Sequence, residues 1–262
     1  MDLYAEVAGE GSTVVLVHAG ICDSRMWDPQ WDAFRAAHRT VRYDLRGFGR
    51  SPLPPQPYSH GRDLIALLEQ LRIQQAALVG ASLGGRVALE VAVAHPQVVD
   101  RLVVADAALP GFAWSDQVRA SWEEEDAALE RGDLDAAVEV DLRMWVDGPR
   151  RPPTTVDPAV REHVRRMQHR AFELQLPVWE DAEEELLVSD LERRLSEVQA
   201  PTLVVVGEED VADFHQIAAQ LSREVPSAQH AVIPNAAHLP SLERPAAFNE
   251  LVLPFLARDR VW

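Results

Sequence analysis

The sequence predicts an α/β protein whose core is a doubly wound, mostly parallel sheet with an inserted all-helical cap. Short apolar runs alternate with amphipathic stretches along the first 110 residues, which is the order typical of parallel strands joined by helices. This alternation stops near Pro110 and resumes only at Thr202. A chain of 262 residues is long enough for one core domain with such an insertion.

The strands of the predicted core are short apolar runs that end in glycine or in a charged turn. Asp28 and Pro29 begin the first helix, because proline is tolerated in the first turn of a helix. The residues before Thr13 leave room for only one hairpin of outer antiparallel strands. Strands are expected at residues 13–18, 40–43, 76–79, 101–106, 202–206 and 230–233, and helices include residues 28–38, 59–71 and 244–257.

Residues 111–195 are expected to form a helical cap on a core made of residues 1–110 and 196–262. Ser115, Asp133 and Asp157 each precede a helical pattern, and their side chains are good N-caps. An acidic stretch at residues 180–188 is expected to be the fourth part of this helical segment. The segment carries 21 acidic residues and 11 arginines, so most of the chain's net charge of −17 lies there.

The composition excludes several partners and chemistries. A net charge of −17 opposes binding to nucleic acid, because the phosphates would be repelled. All 25 basic residues are arginine, which excludes lysine Schiff-base chemistry and the lysine-dependent phosphate loop. Cys22 is the only cysteine, so neither an internal disulfide nor a cysteine zinc site is expected. The chain has no run of 18 apolar residues and no signal-peptide pattern, so we expect no membrane partner and a cytoplasmic location.

A serine between two glycines follows the predicted strand at residues 76–79 and precedes a helical pattern. In this Gly-x-Ser-x-Gly arrangement, Gly80 and Gly84 flank Ser82. Glycine permits a tight turn where side chains would collide with neighbouring strands. The turn presents the serine hydroxyl at a helix N-terminus, where the helix dipole favours developing negative charge. The pattern therefore predicts a nucleophilic Ser82.

A serine nucleophile needs a base, and the base needs an acid that orients it. Asp210 follows the strand at residues 202–206, and His238 follows the strand at residues 230–233. The carboxyl ends of parallel strands meet at one edge of a sheet, so we expect both residues to lie near Ser82. Asp106 follows another strand and is a rival acid, but the Gly-x-x-Asp context favours Asp210. The other histidines lack the spacing of metal ligands, so no metal is expected.

Four segments occur in the order typical of one large family. They are His18-Ala19-Gly20, Asp44-x-Arg46-Gly47-x-Gly49-x-Ser51, Gly80-x-Ser82-x-Gly84-Gly85, and Asp210 with His238-x5-Arg244-Pro245. With these segments the chain resembles the α/β-hydrolase superfamily, and within it the serine esterase and lactonase-like members with a helical cap. The resemblance spans nearly the whole chain and is weakest in the cap.

This resemblance implies a role for each residue of the motifs. Ser82 would attack an acyl carbon, His238 would take and return its proton, and Asp210 would hold the imidazole tautomer. The oxyanion would be bound by the backbone N–H of Leu83 and by that of Gly20 or Ile21. The first motif reads His-Ala-Gly where the family more commonly has His-Gly and a larger residue, which leaves Gly20 and Ile21 as alternative donors.

The resemblance implies a hydrolase for carboxylic esters or lactones of small, largely apolar substrates, with an acyl-enzyme intermediate and no cofactor. Serine at position 82 argues against the related epoxide hydrolases and haloalkane dehalogenases, which have aspartate there. A perhydrolase or haloperoxidase-like enzyme, a carbon–carbon bond hydrolase, and a non-catalytic ligand receptor on the same scaffold remain alternatives. The residues expected to line the substrate pocket are Trp114, Trp122, Met144, Trp145 and Trp179.

Overall fold

The computed structural model describes residues 2–257 of the chain, so residues 1 and 258–262 of the predicted core lie outside the described part. Its centre is a seven-stranded sheet with the strand order β1-β3-β2-β4-β5-β6-β7. The strands are β1 (Ala5–Ala8), β2 (Thr13–Val17), β3 (Arg39–Tyr43), β4 (Ala76–Ala81), β5 (Val99–Ala105), β6 (Thr202–Gly207) and β7 (Ala228–Ile233).

All neighbouring strands are parallel except β1, which pairs antiparallel with β3. The predicted α/β class and mostly parallel sheet are thereby confirmed. The predicted outer hairpin is wrong, because both edges of β2 are occupied by the parallel strands β3 and β4. The chain before β2 therefore pairs with β3 instead, in a register that sets Ala5 opposite Tyr43.

Helices cover both faces of the sheet, and alternate residues of each strand contact them. In β2, Val15 and Val17 pack on the side of α2 (His60–Gln70), α3 (Leu83–Ala94) and α7 (Ala212–Glu224). Val14 and Leu16 pack on the opposite side, with α1 (Asp28–Ala37) and α9 (Pro245–Ala257). The one-turn helix α8 (Pro240–Glu243) precedes α9. None of the helices within residues 2–257 has both the length and the apolar character required to cross a membrane.

Between β5 and β6 the chain forms a group of helices. Ser115, Asp133 and Asp157 cap three of them, since each side chain accepts a hydrogen bond from a backbone N–H two or three residues later. A π-helical turn, Leu142–Asp147, directly continues the second helix. The three helices are α4 (Asp116–Glu130), α5 (Leu134–Asp141) and α6 (Pro158–Gln175).

The expected fourth helical stretch at residues 180–188 is wrong. These residues are extended or in turns, and Glu184 forms a parallel bridge with Tyr58 of the core. Tyr58 N–H donates to Glu183 O at 3.0 Å, and Glu185 N–H donates to Tyr58 O at 2.7 Å. Glu184 also pairs with Arg86 at 2.6 Å. These bonds to the core hold the segment in an extended conformation, and two of its adjacent carboxylates are paired with arginines of the core, Glu184 with Arg86 and Glu185 with Arg62.

Candidate active site

Ser82 stands on a sharp turn between β4 and α3. Its backbone has φ +50° and ψ −113°, and such a sparsely populated conformation costs a non-glycine residue about 1–3 kcal/mol. Ser82 N–H donates to Ala105 O at 2.9 Å, and Ala108 N–H donates to Ser82 O at 3.1 Å. The neighbouring strand end therefore holds the serine in a conformation that serine alone disfavours.

Close backbone contacts require glycine at positions 80 and 84. A Cβ atom on Gly80 would lie 2.2 Å from Gly84 O, and a Cβ atom on Gly84 would lie 2.3 Å from Val17 O. A side chain at either position would therefore push α3 away from the sheet. These contacts explain the Gly-x-Ser-x-Gly spacing in physical terms.

Asp210 and His238 form a buried hydrogen-bonded pair. Asp210 Oδ2 lies 2.8 Å from His238 Nδ1, and the two side chains are 0% and 4% exposed. The other oxygen, Asp210 Oδ1, accepts the Val211 N–H at 2.8 Å. Because an ionised carboxylate only accepts hydrogen bonds, Nδ1 of His238 carries the hydrogen and Nε2 is the acceptor.

The loops that follow β6 and β7 are hydrogen-bonded to each other. Glu209 N–H donates to Ala236 O at 2.8 Å, and Asn235 N–H donates to Glu208 Oε2 at 2.9 Å. Gly207 permits this approach, since a Cβ atom there would lie 1.9 Å from Ala237 O. The contacts between the loops fix the acid and the base relative to each other.

Two aromatic rings pack against the imidazole of His238. The ring centroid of Phe214 lies 4.2 Å away and that of Trp145 lies 5.0 Å away. Phe214 belongs to the first turn of α7, and Trp145 belongs to the π-helical turn. Together the rings limit the imidazole to one plane, so its orientation depends on packing as well as on Asp210.

Ser82 and His238 line the same cavity, which has a volume of about 170 Å³. No Asp, Glu or Arg is among the described residues that line it. Four of the residues that line it are tryptophan or phenylalanine. Trp114 makes edge contacts with Trp122 and Phe214 at ring-centroid distances of 5.4 Å each. The complete lining is Gly20, Ile21, Ser82, Ala108, Trp114, Trp122, Trp145, Phe214 and His238.

The structure brings three of the five expected pocket residues to this cavity and places the other two elsewhere. Trp114, Trp122 and Trp145 line it. Met144 does not line it. Although Met144 is the chain neighbour of Trp145 on the π-helical turn, it faces a groove on the outside of α4. Trp179 does not either, because it lies in the turn after α6 and is 60% exposed.

Phe214 and Ala108 are the lining residues that sequence reasoning missed. Each lies within a few residues of a predicted strand end, Phe214 four residues after Asp210 and Ala108 two residues after Asp106. Their positions after strand ends could have identified them as lining residues, because residues that follow strand ends meet at one edge of a parallel sheet.

The loop after β2 carries Gly20 and Ile21, which the sequence predicts as alternative oxyanion donors, and both line the cavity. His18 fixes the start of this loop: its Nε2 accepts the Leu45 N–H at 2.9 Å. The Nδ1 of the same ring lies 2.8 Å from Ala19 O and is therefore the donor to it. Burial lowers the pKa of His18, so the ring stays neutral and keeps this tautomer.

A second cavity of about 470 Å³ adjoins the same turn through Leu83. A Cβ atom on Gly20 would lie 3.5 Å from the Leu83 side chain, so Leu83 lies between the Gly20 wall of the smaller cavity and the larger cavity. The larger cavity is lined by Phe48, Leu53, Tyr58, His60, Leu83, Gln175, Trp179, Glu180, Ala182, Glu183 and Glu184.

A carboxyl pair lies behind Trp145. Asp141 is 2% exposed, is hydrogen-bonded to Glu125 and to the Trp145 side chain, and accepts from Gln168 Nε2 at 2.6 Å. Burial, followed by the charge of Asp141, raises the pKa of Glu125 to about 8. Burial likewise raises the pKa of Asp141 to about 7. The pair therefore retains a proton at neutral pH, and that proton lies next to a wall of the cavity.

Asp106, the rival acid, lies beside Asp210. The hydrogen bond to His238 comes from Asp210, whereas Asp106 Oδ1 accepts the Gly207 N–H at 2.9 Å. Within residues 2–257, donor atoms of Asp106, Asp210 and His238 form the one cluster with metal-like spacing, all within 4.8 Å of one another. Two of those atoms are already joined by a hydrogen bond, which suits proton transfer better than metal coordination.

A family model described as "Alpha/beta hydrolase family" matches residues 14–251. The chain is 26% identical to a pimeloyl-[acyl-carrier protein] methyl ester esterase from Nitrosospira multiformis, over 97% of this chain and 98% of that protein. It is 30% identical to a putative carbamate hydrolase RutD from Variovorax paradoxus, over 98% and 97% of the two chains.

One solved structure is also similar to this chain over nearly its whole length. The structure titled "Est816 as an N-Acyl homoserine lactone degrading enzyme" superposes with a TM-score of 0.76 at 27% identity. The match covers 97% of this chain and 96% of that one. The ester, carbamate and lactone named for these three proteins share a carbonyl carbon bonded to a heteroatom.

Proposed function

The chain belongs to the alpha/beta hydrolase family, and from this premise we propose that it cleaves carboxylic esters or lactones of small, uncharged, largely apolar substrates. The reaction would pass through an acyl-enzyme on Ser82. One observation carries the proposal: Ser82 and His238 line the same cavity, and Asp210 is hydrogen-bonded to the imidazole nitrogen Nδ1.

In the proposed first step, Ser82 Oγ attacks the carbonyl carbon while Nε2 of His238 takes the hydroxyl proton. Asp210 stabilises the imidazolium that forms, since its carboxylate already accepts the Nδ1 hydrogen. His238 then protonates the leaving alcohol, and the C–O bond of the ester breaks. A water molecule then attacks the acyl carbon while Nε2 takes its proton. That proton passes to Ser82 Oγ as the bond between Oγ and the acyl carbon breaks, which releases the acid and restores Ser82.

The charge that develops on the carbonyl oxygen needs hydrogen-bond donors in place before the reaction. We assign them to the backbone N–H of Leu83, at the N-terminus of α3, and to that of Gly20 or Ile21. The burial of His18 and its bonds to Leu45 N–H and Ala19 O support this assignment, because they fix the loop that carries the second donor.

The lining of the cavity supports the substrate class. At about 170 Å³ it is well below the ~300–1,000 Å³ typical of pockets for drug-sized ligands, which favours a small acyl group. Its aromatic walls favour an apolar or aromatic group, and the absence of Asp, Glu and Arg from the described lining disfavours a charged one.

We also propose that residues 111–195 act as a cap that sets this specificity. Trp114, Trp122 and Trp145 all come from that segment, whereas Ser82, Asp210 and His238 follow the strands β4, β6 and β7. Substitutions in the cap would therefore change which ester is accepted and leave the reacting groups in place.

The test is turnover of p-nitrophenyl esters with two to eight acyl carbons and of lactones with matched chain lengths. We expect turnover in the wild type, loss of at least about 10³-fold in Ser82→Ala, and a serine-linked acyl adduct by mass spectrometry. Ser222→Ala is the matched control, since that half-buried hydroxyl donates within α7 to Ala218 O and should be dispensable.

Three results would contradict the proposal. Turnover that survives in Ser82→Ala would mean that another group performs the chemistry. Tight binding of the esters without turnover would favour a ligand receptor, and halogenation that depends on peroxide would favour a perhydrolase.

A further inference from the structure

Asp106 is a second buried carboxyl group at the edge of the proposed active site. It directly follows β5, is 1% exposed, and has a left-handed backbone with φ +46°. Its N–H donates to Val205 O at 2.9 Å, and its Oδ1 accepts the Gly207 N–H at 2.9 Å. Both bonds tie Asp106 to β6, whose end carries Asp210, so the two carboxyl groups face each other.

The two carboxyl groups have different hydrogen-bond donors. Asp210 accepts from His238 Nδ1 and from Val211 N–H, each at 2.8 Å. Asp106 Oδ2 is buried and has no donor among the described residues. A charged oxygen without a donor is costly to bury. Asp210 has donors to both of its oxygens and Asp106 does not, so the hydrogen bonds favour the charge on Asp210.

The surrounding charges favour the same assignment. Asp106 is close enough to Asp210 and Glu243 for both to act on it electrostatically, and Glu243 is paired with Arg151 at 2.9 Å. Burial, followed by the charge of Asp210, raises the pKa of Asp106 well above its usual range. Since two adjacent buried carboxyls do not both ionise, one proton stays between them.

We propose that Asp106 is held as a neutral carboxylic acid that donates its Oδ2 proton to Asp210. Asp106 is then a positioning residue: it fixes the carboxylate that fixes His238, and it does not contact the substrate. This inference rests on the proposed function, and it adds Asp106 to the hydrogen-bonded pair of Asp210 and His238.

The choice of variants follows from the backbone of Asp106. Alanine would add strain at φ +46°, whereas asparagine and glycine tolerate the left-handed region. Asp106→Asn keeps a donor for Asp210 but cannot ionise. Asp106→Gly keeps the backbone but removes the donor.

In ester turnover at neutral pH, Asp106→Asn should retain kcat within about 3-fold of the wild type. In Asp106→Gly, kcat should fall about 10- to 100-fold with KM nearly unchanged, because a hydrogen bond to a charged group is lost. On the alkaline side, wild-type activity should decline as Asp106 ionises, and Asp106→Asn should stay active to higher pH.

Thermal denaturation supplies a readout that does not depend on activity. Folding raises the pKa of Asp106, so the contribution of its neutral form to stability is present at low pH and is lost as pH rises through the folded-state value. The melting temperature of Asp106→Asn relative to the wild type should therefore increase with pH.

Two outcomes would overturn the inference. If Asp106→Asn loses as much activity as Asp210→Asn, the ionised form of Asp106 is the one that matters. If Asp106→Gly turns over esters like the wild type, Asp106 positions nothing. Failure of the proposed function can be told apart from failure of this inference. If the proposed function is wrong, the wild type will show no ester turnover, or turnover that does not depend on Ser82. The melting comparison would still test the proton on Asp106 in that case.

Discussion

Asp210 Oδ2 lies 2.8 Å from Nδ1 of His238, although the two residues follow different strands and are 28 positions apart in the chain. The distance is set by the register of β6 and β7, in which Gly207 pairs with Ile233. Both loops begin at the same level of the sheet, which lets Asp210 and His238 meet a few residues beyond the strand ends.

Replacing the acid of this pair should remove most of the activity. In Asp210→Asn the amide carries no charge that could stabilise an imidazolium, and its NH2 group can face Nδ1 and favour the wrong tautomer, so kcat should fall about 10³–10⁴-fold. Glu208→Gln is the control, since that exposed carboxylate lies in the same loop and bonds only to the Asn235 N–H among the bonds described. Retention of more than a tenth of wild-type kcat in Asp210→Asn would show that another acid orients His238.

Gly80→Ala should destabilise the protein strongly. Its Cβ would lie 2.2 Å from Gly84 O, and backbone cannot yield as a flexible side chain does. A loss of about 2–4 kcal/mol in the free energy of unfolding is expected from urea denaturation. Gly20→Ala is the matched control, because its Cβ would meet only the Leu83 side chain at 3.5 Å. Equal stability of the two variants would contradict the steric account of the glycine spacing.

Leu83→Ala should extend the range of acyl chains that the enzyme accepts. Leu83 lies between the Gly20 wall of the 170 Å³ cavity and the 470 Å³ cavity, and truncation would open a passage between them. The ratio of kcat/KM for an eight-carbon ester to that for a two-carbon ester should rise at least about 10-fold. Leu53→Ala, which enlarges only the larger cavity, should leave the ratio unchanged. A ratio that is also unchanged in Leu83→Ala would show that Leu83 is not the barrier.

The carboxyl pair formed by Glu125 and Asp141, in the helices between β5 and β6, should make stability depend on pH. Folding raises the pKa of Glu125 to about 8 and that of Asp141 to about 7, both above their unfolded values. The folded state therefore binds more protons, and the free energy of unfolding should fall as pH rises from about 4 to about 8.

Glu125→Gln removes one of the two titrating groups and should flatten this dependence. Glu123→Gln, an exposed neighbour on α4, should leave it unchanged. Chemical denaturation at pH 5, 6.5 and 8 would measure both variants against the wild type. Parallel pH curves for Glu125→Gln and the wild type would show that the pair does not retain its proton in the folded protein.

The fold was predictable from sequence because its signals are local. Apolar runs mark the strands, and Ser115, Asp133 and Asp157 mark helix starts through side chains that bond within three residues. The position of Ser82 is equally local, since the glycines that permit its turn lie two residues away.

Other features depend on partners far along the chain, which no local pattern reveals. Residues 180–188 are extended because Tyr58, more than 120 positions earlier, bonds to them. Met144 and Trp145 face different cavities, because adjacent residues of a helical turn project in different directions and only the placed turn shows which one faces Ser82. The packing of Phe214 on His238 likewise required the loops after β6 and β7 to be placed.

Ser82 and Asp106 both have left-handed backbones at the ends of adjacent strands. Glycine at either position would relieve that strain, which is about 1–3 kcal/mol per residue. The greater conformational entropy of glycine in the unfolded chain would offset part of this gain. Laboratory evolution of this protein for heat resistance alone would thus favour replacement of Ser82, the proposed nucleophile. A library screened for thermostability should be sorted for ester turnover in the same round, because the most heat-resistant members are expected to include dead enzymes.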